Sequence, residues 1–164
     1  MLAMRQPLTT EQAYRLFGTF LGLIPPLAIF ERFFVRSSGE KEFALVFLCA
    51  AMNVVCCVVG RCFAGVLGRG LGGGRARSRA RFVFLVFGMA LAWSAVTGGA
   101  GGTLFYGVGM FAGAFVAAPV ALLGFPAFAI LHRLLSRGGM IDARHAWPLA
   151  FGIPLTIAAM IMSQ

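Results

Sequence analysis

Five apolar runs divide the chain, and the polar positions between them are few and mostly basic. The first runs from Leu16 to Phe30, extendable from Tyr14 to Val35; the second from Phe43 to Leu67; the third from Phe82 to Thr97. The fourth runs from Leu104 to Leu135 and the fifth from Ala146 to Met162. A membrane-spanning helix needs about 20 mostly apolar residues. The pattern therefore predicts an all-α, polytopic transmembrane helix bundle of about five spans, within limits of four to six, forming a single membrane domain over residues 1–164.

Local signals refine these elements. Thr9 or Thr10 ahead of Glu11 and Gln12 has the form of a helix start with a capping side chain. Pro25-Pro26 falls inside the first run, Pro119 and Pro126 inside the fourth, and Pro148 and Pro154 inside the fifth. In a membrane helix such residues imply kinks and freed carbonyls that need partners. Residues 69–81 (RGLGGGRARSRAR) have no apolar period and are expected to form a flexible, exposed, cytoplasmic loop. Gly98-Gly99-Ala100-Gly101-Gly102 is expected to be an uncharged turn. The fourth run has 32 residues. As one straight helix it would measure about 48 Å against a hydrocarbon core of roughly 30 Å, so it crosses once as a tilted, kinked helix or folds back as two pieces.

Composition agrees: 60% of the residues are hydrophobic and 12% charged. Soluble domains run roughly 45–50% apolar and about 25% charged. The net charge of +9 would suggest nucleic acid in a soluble protein. Here the basic residues flank apolar runs, so they are read as orientation signals and contacts to anionic lipid, and no nucleic acid partner is expected. With five spans and the amino terminus inside, the cytoplasmic side receives the Arg-rich 69–81 loop and the Arg133–Arg144 connection. The opposite side receives the nearly balanced 31–42 segment and the uncharged 98–103 segment. Two passes within the fourth run would put Arg133–Arg144 outside, which is why five spans are preferred. Thirteen of the fourteen basic residues are Arg, a bias suggesting a GC-rich bacterial genome and hence a bacterial inner membrane. The polar Met1–Glu11 segment, with no small-residue site after the first run, does not read as a cleavable signal peptide.

The remaining constellations favour packing over chemistry. Cys49, Asn53, Cys56, Gly60 and Ala64 form one helical stripe of small and weakly polar side chains. Gly18-x-x-x-Gly22 and Gly109-x-x-x-Gly113 allow close helix approach in membranes. Gly18, Gly22, Asn53, Gly60, Gly109 and Gly113 are accordingly the candidate helix-packing residues. Cys56-Cys57 and Cys62 could in principle meet a soft metal, but adjacent cysteines diverge on a helix and no His completes a set, so no metal or cofactor is expected. Gly68, Gly70 and Gly73 fit GxGxxG without the strand and βα unit that give it meaning. Arg75, Arg77, Arg79 and Arg81 are candidate anionic-lipid contacts. Tyr14, Tyr106 and Trp147 are expected at the membrane interface, and His132 is read as snorkelling there. Asp142 with His145 could form an acid/base pair, yet no nucleophile stands at a diagnostic spacing, and no catalytic residue is assigned.

Three functional classes follow. The leading expectation is a non-enzymatic membrane protein acting through helix packing, as a homo-oligomer or with other membrane protein subunits. The alternative is a small transporter or channel, with Glu31, Pro25, Pro26, Asn53 and Pro119 as candidate pathway residues, because proline-broken helices expose polar backbone and an intramembrane acid can handle cations. A lipid-acting membrane enzyme is the third.

Overall fold

The computed structural model describes residues 7–32, 43–72, 78–102 and 108–163. Five helices dominate: α1 (Thr10–Phe30), α2 (Phe43–Gly72), α3 (Arg79–Gly102), α4 (Val108–Leu135) and α5 (Ala143–Ser163). All five are long and apolar enough to cross a membrane. The chain is an all-α bundle and a multi-pass membrane protein. Two three-residue strands, β1 (Pro7–Thr9) and β2 (Met140–Asp142), pair antiparallel in front of α1 and α5.

Each helix packs against its neighbour in sequence, and α5 returns to α1, so the five close into a ring. The hairpins α1–α2 and α3–α4 are the tightest pairs. Across the middle, α1 meets α4 through aromatic rings: Phe17 stacks on Phe128 with centroids 4.3 Å apart and meets Phe125 edge-on at 5.7 Å. Tyr14, Phe17, Leu21, Trp93, Phe125 and Phe128 are fully buried. Because successive helices alternate in direction, the starts of α1, α3 and α5 and the ends of α2 and α4 share one end of the bundle. The β1–β2 pairing ties that end together. At the other end the Arg32 guanidinium donates to the Met162 carbonyl at 3.4 Å, joining α1 to α5.

Glycines set the hairpin geometry. A methyl group at Gly18 or Gly60 would overlap the other's carbonyl, and one at Gly22 would overlap the Cys56 carbonyl. The two backbones are therefore in direct contact, which in lipid is a principal source of helix association. Gly113 of α4 stands in the same relation to Gly98 of α3. That contact explains a departure from expectation: residues 98–102 are helical, the last turn of α3, where sequence suggested a turn. Glycine's low helix propensity yields to the close approach that only glycine permits.

The fourth run forms a single helix of 28 residues, so it crosses once. The linker is shorter than 69–81, since α2 continues to Gly72 and α3 begins at Arg79. Leu71 packs on the core, and Gly68 lets α2 approach α1, where a Cβ would lie 2.9 Å from the Glu11 Cα. These contacts extend α2 beyond its apolar run. The strands carried no alternation to read. Gly138 and Gly139, with φ of 60° and 79°, make a two-residue reversal closed by reciprocal backbone bonds between Arg137 and Met140, and this leads the chain into β2, which pairs with the distant β1. Both central residues with positive φ are the requirement of a type I′ hairpin turn, which glycine meets without strain.

Candidate functional site

The β1–β2 end of the bundle gathers most of the polar chemistry. Thr9 caps α1: its hydroxyl accepts from the Gln12 N–H at 3.3 Å, and the Gln12 side chain accepts from the Thr9 N–H at 3.0 Å. This reciprocal pair satisfies two orphan donors at the helix start. Glu11 pairs with Arg15 at 2.6 Å and reaches Arg69 of α2 at 3.7 Å. The Thr10 hydroxyl donates to the Gly139 carbonyl at 2.9 Å, fastening the hairpin turn to α1.

Beside this fastening lies a cleft of about 480 Å³. Thr10 and Tyr14 of α1, Phe82 of α3, His132 and Arg133 of α4, and Ser136 line it, with Leu71 and the glycine turn at its margins. His132 is 5% exposed and held between Tyr14, at 5.2 Å, and Phe128, at 5.9 Å, between ring centroids. Its Nε2 has no hydrogen-bond partner among the described residues. The Arg133 guanidinium sits over the Phe82 ring at 5.2 Å, a cation–π contact. Tyr14 and His132 thus belong to the interior, where sequence suggested the lipid interface. A phenol or imidazole looks interfacial by residue type, but here Tyr14 of α1 and His132 of α4 pack against each other and are buried. Trp147 is exposed, and Tyr106 lies outside the described residues.

The candidate pathway residues lie in different surroundings. Glu31 ends α1 in an exposed position, and Pro119 is exposed on the outside of α4. Pro25 is buried and Pro26 half-buried. Asn53 is buried: oriented with Nδ2 toward α1, the amide donates to the carbonyls of Gly22 at 3.3 Å and Leu23 at 3.0 Å. That orientation is assigned from these partners. Gly22 is four residues before Pro26, so its carbonyl lacks the usual helical donor. Asn53 supplies that donor from the neighbouring helix.

Of the candidate packing residues, Gly18, Gly22, Asn53 and Gly60 lie together at the α1–α2 contact, and Gly113 lies at the α3–α4 contact. Gly109 is in the first turn of α4. On α2, Cys56 and Ala64 face inward with Gly60, while Val54 and Val58 are 63% and 55% exposed. Of the candidate lipid contacts, Arg79 and Arg81 are exposed in the first turn of α3, and Arg75 and Arg77 lie outside the described residues. Gly98 was missed as a packing residue, because its place among five small residues reads as a turn.

No group of three or more His, Cys, Asp or Glu able to hold a metal occurs among the described residues. Cys57 donates weakly to the Thr19 carbonyl at 3.6 Å, an interhelical contact. Asp142 is the cap of α5: it accepts from the Arg144 N–H at 3.2 Å and from the Arg144 guanidinium at 3.1 Å. The Arg144 backbone N–H, aided by its side chain and by the nearby charges, holds the Asp142 carboxyl below its ordinary value. It is a fixed carboxylate rather than a proton donor. No protein-family model, no curated protein and no solved structure matches the chain, so the site stands on its own geometry.

Proposed function

We propose that this chain is a non-enzymatic membrane protein that works through helix packing, as a homo-oligomer or as a subunit of a larger membrane assembly. Its setting on this reading is a bacterial inner membrane, with the amino terminus and the arginine-rich end in the cytoplasm. The observation that carries the reading is the closed interior. A transport pathway would run between α1 and α4, along the middle of the ring. There Phe17, Phe125 and Phe128 are in ring contact and fully buried, and Leu21 fills the space beside Gly124. Asn53, the polar side chain nearest the proline break, is engaged by α1 carbonyls.

The glycine faces are used within the chain, so contacts with other subunits fall on other surfaces. The orientation rests on charge. Among the described residues, the first or last two turns at the arginine-rich end carry Arg15, Arg69, Arg79, Arg81, Arg133 and Arg144, with Arg137 in the adjoining turn. The opposite end carries Arg32 beside Glu31. Such an excess marks the cytoplasmic side.

The test is extraction in mild detergent followed by native mass spectrometry and identification of co-purifying proteins. A multimer of the chain, or a stable complex with other membrane proteins, is expected. In reconstituted vesicles Glu31→Gln should leave ion flux unchanged, since an exposed carboxylate at a helix end makes no pathway. A monomer without partners, together with ion flux abolished by Glu31→Gln in a folded protein, would replace this reading with the transporter.

A further inference from the structure

Among the described residues, the walls of the cleft at the arginine-rich end carry a buried nitrogen without a hydrogen-bond partner and a guanidinium without a carboxylate. His132 lines it while 5% exposed, and its Nε2 is unpartnered among the described residues. Buried polar atoms are almost always hydrogen-bonded, so an unpartnered one in a residue that lines a cavity marks a group able to meet something else. The charge balance makes the same point independently. Glu11 is engaged by Arg15 and Arg69, and Asp142 by Arg144. Arg133, on the cleft wall, pairs with no carboxylate among the described residues, and Arg79 and Arg81 in the turn leading to Phe82 are likewise unpaired. The site is therefore electropositive, and Ser136, Thr10, Phe82, Leu71 and Ala129 belong to the same lining. Its volume, about 480 Å³, falls within the roughly 300–1,000 Å³ of small-molecule sites.

We propose that this cleft binds a phosphate ester at the membrane surface. Arg133 supplies the fixed charge, His132 Nε2 donates a hydrogen bond in the tautomer that carries its proton there, and Ser136 completes the oxygen contacts. Guanidinium suits phosphate because its planar donors match two oxygens at once. Phe82, already beneath the guanidinium, holds it in place and offers an apolar wall to the glycerol or acyl portion of the ligand. An anionic phospholipid headgroup and a soluble phosphate ester share this chemistry, and the position at the helix ends makes both accessible.

The experiment uses the full chain in detergent and native mass spectrometry with three probes: dioleoylphosphatidylglycerol, the phosphate-free dioleoylglycerol, and inorganic phosphate. Phosphatidylglycerol should be retained about tenfold more tightly than dioleoylglycerol, the difference one charge-assisted contact makes. Arg133→Gln should lose that preference, whereas Arg144→Gln, whose arginine is engaged by Asp142 outside the cleft, should keep it. His132→Phe preserves the ring packing against Tyr14 and Phe128 and removes only the nitrogens, so it too should lose the preference while melting normally. Retention of phosphatidylglycerol that inorganic phosphate does not displace identifies a lipid site. Displacement by millimolar phosphate identifies a soluble ester, and either result supports the proposal. Equal retention of the two lipids with no phosphate binding overturns it. Equal loss in Arg133→Gln and Arg144→Gln also overturns it, since that would reflect the diffuse field of the surface rather than a built site.

Discussion

Pro25 and Pro26 remove two amide donors from a helix that must cross lipid, where unsatisfied carbonyls have no water to turn to. The Gly22 carbonyl, left without a donor by Pro26, is met by Asn53. A buried polar atom deprived of its partner costs about 1–3 kcal/mol. Asn53→Leu, which keeps the volume, should therefore destabilise the protein by about that amount. The cause can be separated from packing by a double-mutant cycle with Pro26→Ala, which restores the helical N–H to Gly22. In that background the Asn53→Leu loss should shrink by more than half. Equal losses in both backgrounds, measured by unfolding in mixed micelles, would mean that Asn53 acts through something other than the proline gap.

Between elements, backbone approach decides tolerance. Gly60 has the Gly18 carbonyl where a Cβ would go, whereas Val58 on the same helix is 55% exposed. Gly60→Leu should separate α1 from α2 at a cost of about 3 kcal/mol or more, the upper range for overpacked sites. Val58→Leu should stay within about 0.5 kcal/mol, as exposed substitutions do. Equal melting temperatures for the two variants would remove the glycine contact as a determinant of the hairpin. The start of α5 gives a pH-dependent case. Asp142 has a depressed carboxyl value in the folded protein, so its cap is complete above the ordinary aspartate range. That contribution disappears as pH falls through the lowered value. The amide exchange protection of Arg144 should accordingly persist at pH 5 and weaken in stronger acid, and Asp142→Asn should abolish the acid dependence. Protection that is lost already near pH 6 would point to a histidine instead.

For the whole molecule, five antiparallel crossings put the glycine turn at 138–139 on the arginine-rich side and Gly101, in the last turn of α3, on the other. Reporter fusions should report Arg75 and Gly139 as cytoplasmic and Gly39, Gly101 and Gln164 as external. An external Gly139 would be incompatible with four crossings, α1 to α4, from a cytoplasmic amino terminus. The single α4 makes this test sharper than the apolar pattern alone allowed, because a re-entrant fourth segment would invert every later loop.

The sequence by itself determined the order of about five apolar helices, a capping threonine at Thr9 or Thr10 and the uneven distribution of arginine. Each follows from a local requirement: enough apolar length to cross lipid, a hydroxyl ahead of the first turn, charge placed beside apolar runs. The GxxxG and Cys–Asn–Gly stripes were also visible as candidate contact faces, because small residues at helical spacing are informative whatever the solvent. Only the tertiary structure decided which face of each helix turns inward and which residues meet. In water a polar face marks the outside of a helix; in lipid both faces are apolar, and that contrast is lost. Tyr14 and His132 therefore read as interfacial until α1 and α4 packed them against each other, and Gly98 read as a turn until the α4 backbone settled against it. The cleft is of the same kind: Thr10, Phe82, His132, Arg133 and Ser136 come from separate parts of the chain, and their meeting is set by how the helix ends close around one short hairpin.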